Sequence, residues 1–478
     1  MNFELPQFTP VIPEMFVAGM ACLLLLVDLF LSDRNRAVIH WMTLATLAGA
    51  ALLTWHVMTG YTVFTFGGMF IADQLASTLK LFLYLVVAVV LVYSRDYLRD
   101  RDMFKGEYYL LSLTALLGMM IIASGHNLLV LYLGLELLSL SLYVMVAFNR
   151  ESPSAAEAAI KYFVLGAIAS GVLLYGMSIL YGVTGSLDIA EIAAYVASAE
   201  ISHIGLALAL SFILVGLAFK IGAVPFHMWI PDVYHGAPTA VTLFVGAAPK
   251  IAAFALFMRL LADGLGGFHE AWQGMLVILA VLSMAVGSFL AIAQTNIKRM
   301  LAYSTITHMG FILMGVMAGT SLGYQSAMFY TLVYVLMAMG AFGMIILMSH
   351  KGHEAEQISD FQGLNERSPW FAACMGIFMF GMAGVPPLAG FHAKLSVINA
   401  AIDAGWVWMA VAAVLFAIIS AFYYLRVVKI MYFDPAEGAP APSGGTGFRA
   451  VLSVNAVTVL ALGALPGALM GVCARVFA

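Results

Sequence analysis

Five ionisable residues stand inside long apolar stretches of this chain: Glu136 in LYLGLELLSLSLY, Lys220 in VGLAFKIGAVPFHMW, Lys250 in GAAPKIAAFALF, His308 in AYSTITHMGF and Lys394 in GVPPLAGFHAKLSV. A charge near the centre of a bilayer costs about 2.5–3.5 kcal/mol on insertion scales, so such residues mark ion or proton pathways by default. Their types suit protons. A buried lysine exchanges its charge readily, and a carboxylate that approaches or withdraws switches it between holding and releasing a proton. Glu136 and Lys220 form such a pair if their helices touch. Histidine as a residue type can relay protons near neutral pH, and His308 has Ser304, Thr305 and Thr307 beside it to hydrate a path. His227, in VPFHMWIPDVYHGAP, is a second candidate relay. Either histidine could equally be a hydrogen-bonded packing element, and other tyrosines and tryptophans read as core and interface anchors. For the lysines the competing reading is snorkelling, or an ion pair that merely locks two helices. That reading is strongest for Lys80, about six residues into its span.

The elements that must position these groups are membrane helices. Of 478 residues, 63% are hydrophobic and 10% charged, with mean hydropathy +0.99. A water-soluble fold cannot hide that much apolar surface, and a disordered chain does not carry it. The net charge of -4 offers nothing to nucleic acid. Cys22, Cys374 and Cys473 lie too far apart in sequence for zinc, iron–sulfur or disulfide spacing, so no redox centre or cofactor of its own is expected. HEAEQ at 353–357 lacks the second histidine of a zinc helix, and GLGGFH at 264–269 follows a membrane span rather than a strand. The expected class is an all-α integral membrane protein with about fourteen spans: 11–31, 38–58, 75–94, 107–124, 127–148, 157–182, 203–224, 239–262, 272–294, 301–319, 325–349, 370–385, 405–432 and 450–473. Lipids are therefore expected neighbours. The run Arg95 to Glu107 reads as a solvated loop, and 434–447 as a Pro/Gly/Ala linker. The first ten residues hold no Lys or Arg and do not resemble a signal peptide.

Basic residues orient the chain. With fourteen spans, Arg34, Arg36, Arg95, Arg99, Arg101, Lys105, Arg150, Lys161, Lys298, Arg299, Lys351, Arg367, Arg426, Lys429 and Arg449 share one side, while Arg259 and Arg475 take the other. Fifteen against two makes the first side cytoplasmic and places both termini outside the cytoplasm. Two lysines stand beside helix breakers. Lys220 precedes Gly222 and Pro225, and Lys394 follows Gly384, Pro386, Pro387 and Gly390. Broken backbone at membrane depth survives only inside protein or beside water, and matched breaks in two halves of a chain point to inverted repeats. The breaks fall in the seventh and twelfth spans, five apart, which suggests two inverted five-helix repeats, spans 4–8 and 9–13. The expected division is 1–106 for the first three helices, 107–262 and 272–432 for the repeats, and 433–478 for the linker and last helix.

At this point the sequence resembles the antiporter-like membrane subunits of bacterial respiratory complex I, the proton-pumping NADH:quinone oxidoreductase, and among them the subunit N branch. The matching stretches are GLELLSLSLY, EAAIKYFVLGAIASG, GLAFKIGAVPFHMWIPDVYHGAP, PKIAAF, QTNIKRMLAYSTITHMG and GVPPLAGFHAKL, spread in order over about two thirds of the chain. The resemblance implies proton translocation driven by quinone reduction elsewhere in the complex. It makes Glu136 the fifth-helix glutamate that modulates Lys220, Lys250 a bridging lysine, His308 part of a central polar axis and Lys394 the lysine of the exit side. Lys161 matches the lysine at the cytoplasmic mouth, or is a topological anchor. Lysine rather than glutamate at 394 argues for the N branch over M, and the absence of a long C-terminal extension argues against L. His235 in VYHGAP departs from the glutamine usual there. The resemblance further implies an inner-membrane location, neighbouring membrane subunits as partners, and NADH, FMN, iron–sulfur clusters and quinone bound by other subunits. The rival reading is a subunit of a multisubunit Na+/H+ exchanger, since the same core serves both.

Overall fold

A computed structural model describes residues 6–32, 35–198, 204–436 and 442–478. Arg34, the first residue of the expected seventh span, part of the N-terminal leader and linker positions 437–441 lie outside the described residues. The chain runs through α1 (Ile12–Phe30), α2 (Ala37–Val57), a hairpin of β1 (Val63–Thr65) and β2 (Phe70–Ala72), α3 (Gln74–Asp100), α4 (Gly106–Ser124), α5 (Leu128–Val146), α6 (Pro153–Thr184), α7 (Ile189–Ser198), α8 (Ile204–Ile221), α9 (Trp229–Gly236) and α10 (Thr239–Phe257). It continues through α11 (His269–Ile292), α12 (Ile297–Met317), α13 (Ser321–Met348), α14 (Leu364–Arg367), α15 (Pro369–Ala383), α16 (Ala389–Asp403), α17 (Val407–Phe433), α18 (Thr446–Ala464) and α19 (Gly467–Val476). Among the described residues, thirteen helices are long and apolar enough to cross a membrane, and α15 with α16 supplies a fourteenth traverse.

Several expected boundaries shift. The seventh span does not stop at 224; it is two half-helices, α8 and α9, either side of a break at 222–228. The twelfth does not stop at 385. It comprises α15 and α16, so Lys394 lies on its second half. Pro466 divides the last span into α18 and α19. The charged run from Arg95 is not a loop, because α3 remains helical to Asp100. The amphipathic α7 and the small hairpin were not anticipated. Both sit at the end of the bundle away from the basic residues, where the isolated bridge Asn127–Asp188 joins the start of α7 to the α4–α5 turn.

The helices run alternately up and down, and α4 packs along α5 as α11 packs along α12, the first pair of each five-span unit. The spans of greatest burial are α10, α12 and α13, whose most apolar stretches are 94%, 94% and 100% buried, so the two units meet along these three helices. At one end basic residues tie the segments together: Arg101, at the end of α3, reaches Glu354 at 2.6 Å and the carbonyls of His350 and His353 of the second unit, and Lys298 of the second unit donates to the carbonyls of His235 and Ala237 of the first. Arg259, assigned to the outer side near the end of its span, is not at the surface. It is 2% exposed on a π-helical continuation of α10, Met258–Gly264.

Lys80 does not snorkel. It pairs inside the protein with Glu14 of α1, both residues at most 5% exposed. Removing one partner of a buried pair strands the other charge, at about 3–5 kcal/mol. Lys80→Met is therefore expected to lower stability by about that amount, and Glu14→Leu/Lys80→Met to recover most of it, read from thermal unfolding of the purified assembly. A double variant no better than the single one would contradict this account of the pair.

Candidate functional site

Both breaks in the membrane spans are built the same way. At the end of α8, Gly222 adopts φ +78°, and its N–H and that of Ala223 both donate to Ala218 O at 2.9 and 2.8 Å. At the end of α15, Gly384 adopts φ +84°, and its N–H and that of Val385 donate to Phe380 O at 3.0 Å. This is the Schellman stop, which calls for glycine in the left-handed region. Pro225 and Pro386–Pro387 follow and cannot continue the helix. A Cβ at Gly222 would meet Ile230 Cδ1 at 1.8 Å, and one at Gly384 would meet Lys394 Cδ at 2.8 Å, so each glycine also makes room for what packs over it. In the first break the freed N–H of Val224 is satisfied by Ser283 Oγ of α11 at 2.9 Å.

Each break leaves carbonyls without intrahelical partners at the negative end of a helix dipole. Each is met by a lysine. Lys250 of α10 donates to Ile221 O at 3.4 Å, and Lys394 of α16 donates to Ala383 O at 2.9 Å. Both ammonium groups also lie over aromatic rings, Lys250 5.4 Å from the Trp229 centroid and Lys394 5.2 Å from that of Phe311. These contacts hold a cation at membrane depth without a carboxylate.

Lys220, one residue before the last of α8, donates to Ser139 Oγ of α5 at 2.5 Å. Glu136, one turn earlier on α5, accepts from Ser170 of α6, which also bonds Tyr132 OH at 3.1 Å. No Glu136–Lys220 ion pair forms among the described residues. The expectation of direct contact is corrected because α6 packs against both α5 and α8, and its Ser170 takes the Glu136 carboxylate. Lys220 and Lys250 line one enclosed cavity of about 20 Å³ with Tyr162, Trp229 and Pro249, room for about one water.

His308 of α12 is 2% exposed and bonded on both ring nitrogens, Nδ1 to Tyr330 OH at 2.7 Å and Nε2 to Tyr424 OH at 3.0 Å. Tyr424 OH bonds Ser304 Oγ at 2.5 Å, and Tyr334 OH donates to Thr305 Oγ1 at 2.8 Å. These tyrosines of α13 and α17 belong to the polar axis rather than to the apolar core assigned them from sequence. The signal for them was present: Tyr330 and Tyr334 are one turn apart in the middle of an apolar span.

Two candidates stand apart. His227 lies in the first break, outside the cavity that joins Lys220 to Lys250. Lys161 is at the basic face, with Asp232 of α9 at 2.8 Å and Glu157 at 2.7 Å, and Arg299 of α12 reaches the same Asp232 at 3.1 Å. Nearby, a cavity of about 230 Å³ opens between Tyr97, Arg101, His235, Lys298, Glu354 and Glu356. It lies at the basic face, lined from α3 and from both units.

The family model described as NADH:quinone oxidoreductase/Mrp antiporter, TM matches residues 125–420. The chain is 61% identical over 472 residues to NADH-quinone oxidoreductase subunit N of Thioalkalivibrio sulfidiphilus, covering 98% of each, and 57% identical over 475 residues to the Thiobacillus denitrificans subunit, covering 99% of this chain and 98% of that one. The chain belongs to the NADH-quinone oxidoreductase subunit N family. The fold agrees. A chain of respiratory complex I from Thermus thermophilus superposes with TM-score 0.83 at 34% identity, covering 96% of this chain and 98% of that one. A chain of the Mrp complex from Dietzia sp. shares the fold alone, with TM-score 0.85 at 22% identity over 98% of this chain and 97% of that one. Membership accounts for the helical membrane architecture with its two broken spans.

The mouth carries its own electrostatics. Burial pushes the Glu356 carboxyl up, but the hydrogen bond from His235 and the charge of Lys298 outweigh it and bring the pKa from 4.5 down to about 2. A depressed carboxylate contributes stability above its unfolded pKa and loses it as pH falls through the folded one. The unfolding midpoint of Glu356→Gln is therefore expected to lie below that of the wild type by a constant amount, at most about 2 kcal/mol after solvent screening, above about pH 4.5. The gap should close as pH falls toward 2. A gap independent of pH would contradict the assignment.

Proposed function

We propose that this chain carries protons from the cytoplasm to the periplasm of a bacterial inner membrane, as a non-redox subunit of the translocase NADH:quinone oxidoreductase. The basic face is cytoplasmic by the excess of Lys and Arg there, so both termini face the periplasm. The observation that carries the reading is the placement of Lys250 and Lys394 on the carbonyls of two helix breaks, with Lys220 sharing the Lys250 cavity and His308 bonded to Tyr330 and Tyr424 within the second unit. Each group can take and pass a proton, and each is held in hydrocarbon by a contact that tolerates either charge state.

In this reading Lys161 and Asp232 flank the cytoplasmic mouth and Lys220 is loaded from it. Glu136 lies at the edge of α5, whose outward residues Leu133 and Val144 are 64% and 55% exposed. A neighbouring membrane subunit against that face can pull the carboxylate from Ser170 toward Ser139 and Lys220, or release it. With Glu136 withdrawn, Lys220 gives its proton to Lys250 across the small cavity. His308, through Tyr330 and Tyr424, passes it to Lys394, which discharges it outside. Moving one charge against the membrane potential costs about 2.3 kcal/mol per 100 mV. The energy comes from quinone reduction in partner subunits, where NADH, FMN, the iron–sulfur clusters and quinone are bound. Sodium-dependent exchange without redox turnover would instead favour a multisubunit cation/proton antiporter.

Lys220→Ala and Glu136→Ala are expected to assemble normally and to lower redox-driven proton pumping by about tenfold, the effect of about 1.4 kcal/mol on a barrier. Coupled quinone reduction should fall with it. Dye-monitored pumping in vesicles measures this, and full pumping by both assembled variants would remove the relay.

A further inference from the structure

We propose that the hydroxyl of Tyr234 is the link by which protons pass from the first unit to the second, between Lys250 and the polar cluster around His308. It rests on the relay reading, in which the step between the units has no carrier. Tyr234 is on α9, the second half of the broken seventh span, and is fully buried. Its ring packs edge-on against Phe342 of α13, with centroids 5.7 Å apart. Its hydroxyl is buried without a well-formed hydrogen bond among the described residues. Buried polar groups are almost always bonded, and one that is not calls for a reason. Apolar packing gives none, since phenylalanine would fill the same space without stranding a hydroxyl.

The hydroxyl stands where the two units meet. On the second-unit side it faces Thr305 of α12 and Tyr334 of α13, and on the first-unit side Tyr162, which lines the cavity of Lys220 and Lys250. Gly246 of α10 makes the room: a Cβ there would stand 3.4 Å from Tyr234 Oη. Gly246 and Lys250 are four residues apart and share a face of α10, their Cβ positions about 5–6 Å apart. Helical side chains lean toward the N-terminus, so Lys250 leans over the turn that starts at Gly246. A lysine swinging off Ile221 O, or one water, spans what is left. Beyond Tyr234 the acceptors are defined. Thr305 Oγ1 donates to Leu301 O at 2.8 Å and accepts from Tyr334 OH at 2.8 Å, which leaves one lone pair for Tyr234. The Tyr334 ring lies 5.0 Å from that of His308. A phenol both donates and accepts, so it passes a proton without holding a charge. Lys250 loses an N–H proton to Tyr234 Oη, and Tyr234 gives its own to Thr305. Thr305 gives its own to Tyr334 as their bond reverses, and Tyr334 releases its own to the His308 cluster, each hydroxyl ending neutral.

The test is redox-driven proton pumping by the assembled complex in vesicles, with thermal unfolding read alongside. Tyr234→Phe keeps the ring on Phe342 and removes only the hydroxyl. It should assemble and unfold at the wild-type temperature or above, while pumping falls by about tenfold. Tyr334→Phe removes the next hydroxyl and should lower pumping by as much. Links in series do not add, so the double variant Tyr234→Phe/Tyr334→Phe should pump no worse than either single one, whereas two unrelated packing defects would multiply their losses. Any other pattern in the assembled variants overturns the link, whether full pumping by Tyr234→Phe or a double variant lowered by about a hundredfold. Failure of Tyr234→Phe to assemble overturns it too, because a hydroxyl that holds the fold is not free to relay. Lys220→Ala separates the two failures. Full pumping by Tyr234→Phe beside its loss in Lys220→Ala sinks the link and leaves the relay; the reverse result sinks loading through Lys220 and leaves the link standing.

Discussion

A lysine ammonium resting on the carbonyls of a deliberately broken helix is the interaction on which the rest of this structure depends. It occurs twice, Lys250 on Ile221 O and Lys394 on Ala383 O. An unpaired charge in hydrocarbon is costly, and so is an unsatisfied carbonyl. Bringing the two together offsets both. A carboxylate partner would hold each lysine charged, whereas helix-end carbonyls and an aromatic face hold it more gently. That balance allows a side chain to give up a proton and take another without the site falling apart. The glycines that stop the helices and the prolines behind them fix the two breaks, and Ile221 and Ala383, whose carbonyls the lysines meet, are buried although Pro225, Met228 and Val385–Pro387 are exposed.

The inverted arrangement turns one local device into a directional one. A glycine-stopped break with a lysine on its carbonyl occurs in both units, the lysine coming from the last helix of the first unit and from the broken span itself in the second. The bond from Ser139 to Lys220 and the bond from Ser170 to Glu136 leave the carboxylate and the ammonium close but unjoined. An input at the outer edge of α5 can then act on the pair.

Much of this was legible in the sequence, for physical reasons. The apolar runs and the lopsided basic residues gave the spans, and Gly222–Pro225 and Gly384–Pro387 gave the breaks, because few sequences stop a helix in that way. The second half of the twelfth span was hidden because Lys394 and its polar neighbours dilute the hydropathy of α16. Glu14 escaped notice near a chain terminus although it is the partner of Lys80. Arg259 was counted only as an outer-side charge, because a hydropathy count cannot see that Asp73, Asp263 and Ala123 O converge on it. The tyrosines around His308 were assigned to packing, since composition alone does not separate a buried hydroxyl that is bonded from a ring that is merely filling space. Glu136 and Lys220 were expected to pair if their helices touch; the helices do meet at Ser139 and Lys220, but Ser170 of α6 takes the carboxylate, which one sequence could not show.

The most direct test of the central claim is a map of the assembled complex at a resolution that shows ordered water. The account predicts a water in the cavity between Lys220 and Lys250, and a hydrogen-bonded file from there past His308 to Lys394. A dry, apolar gap around these lysines in every state of the working complex would contradict it.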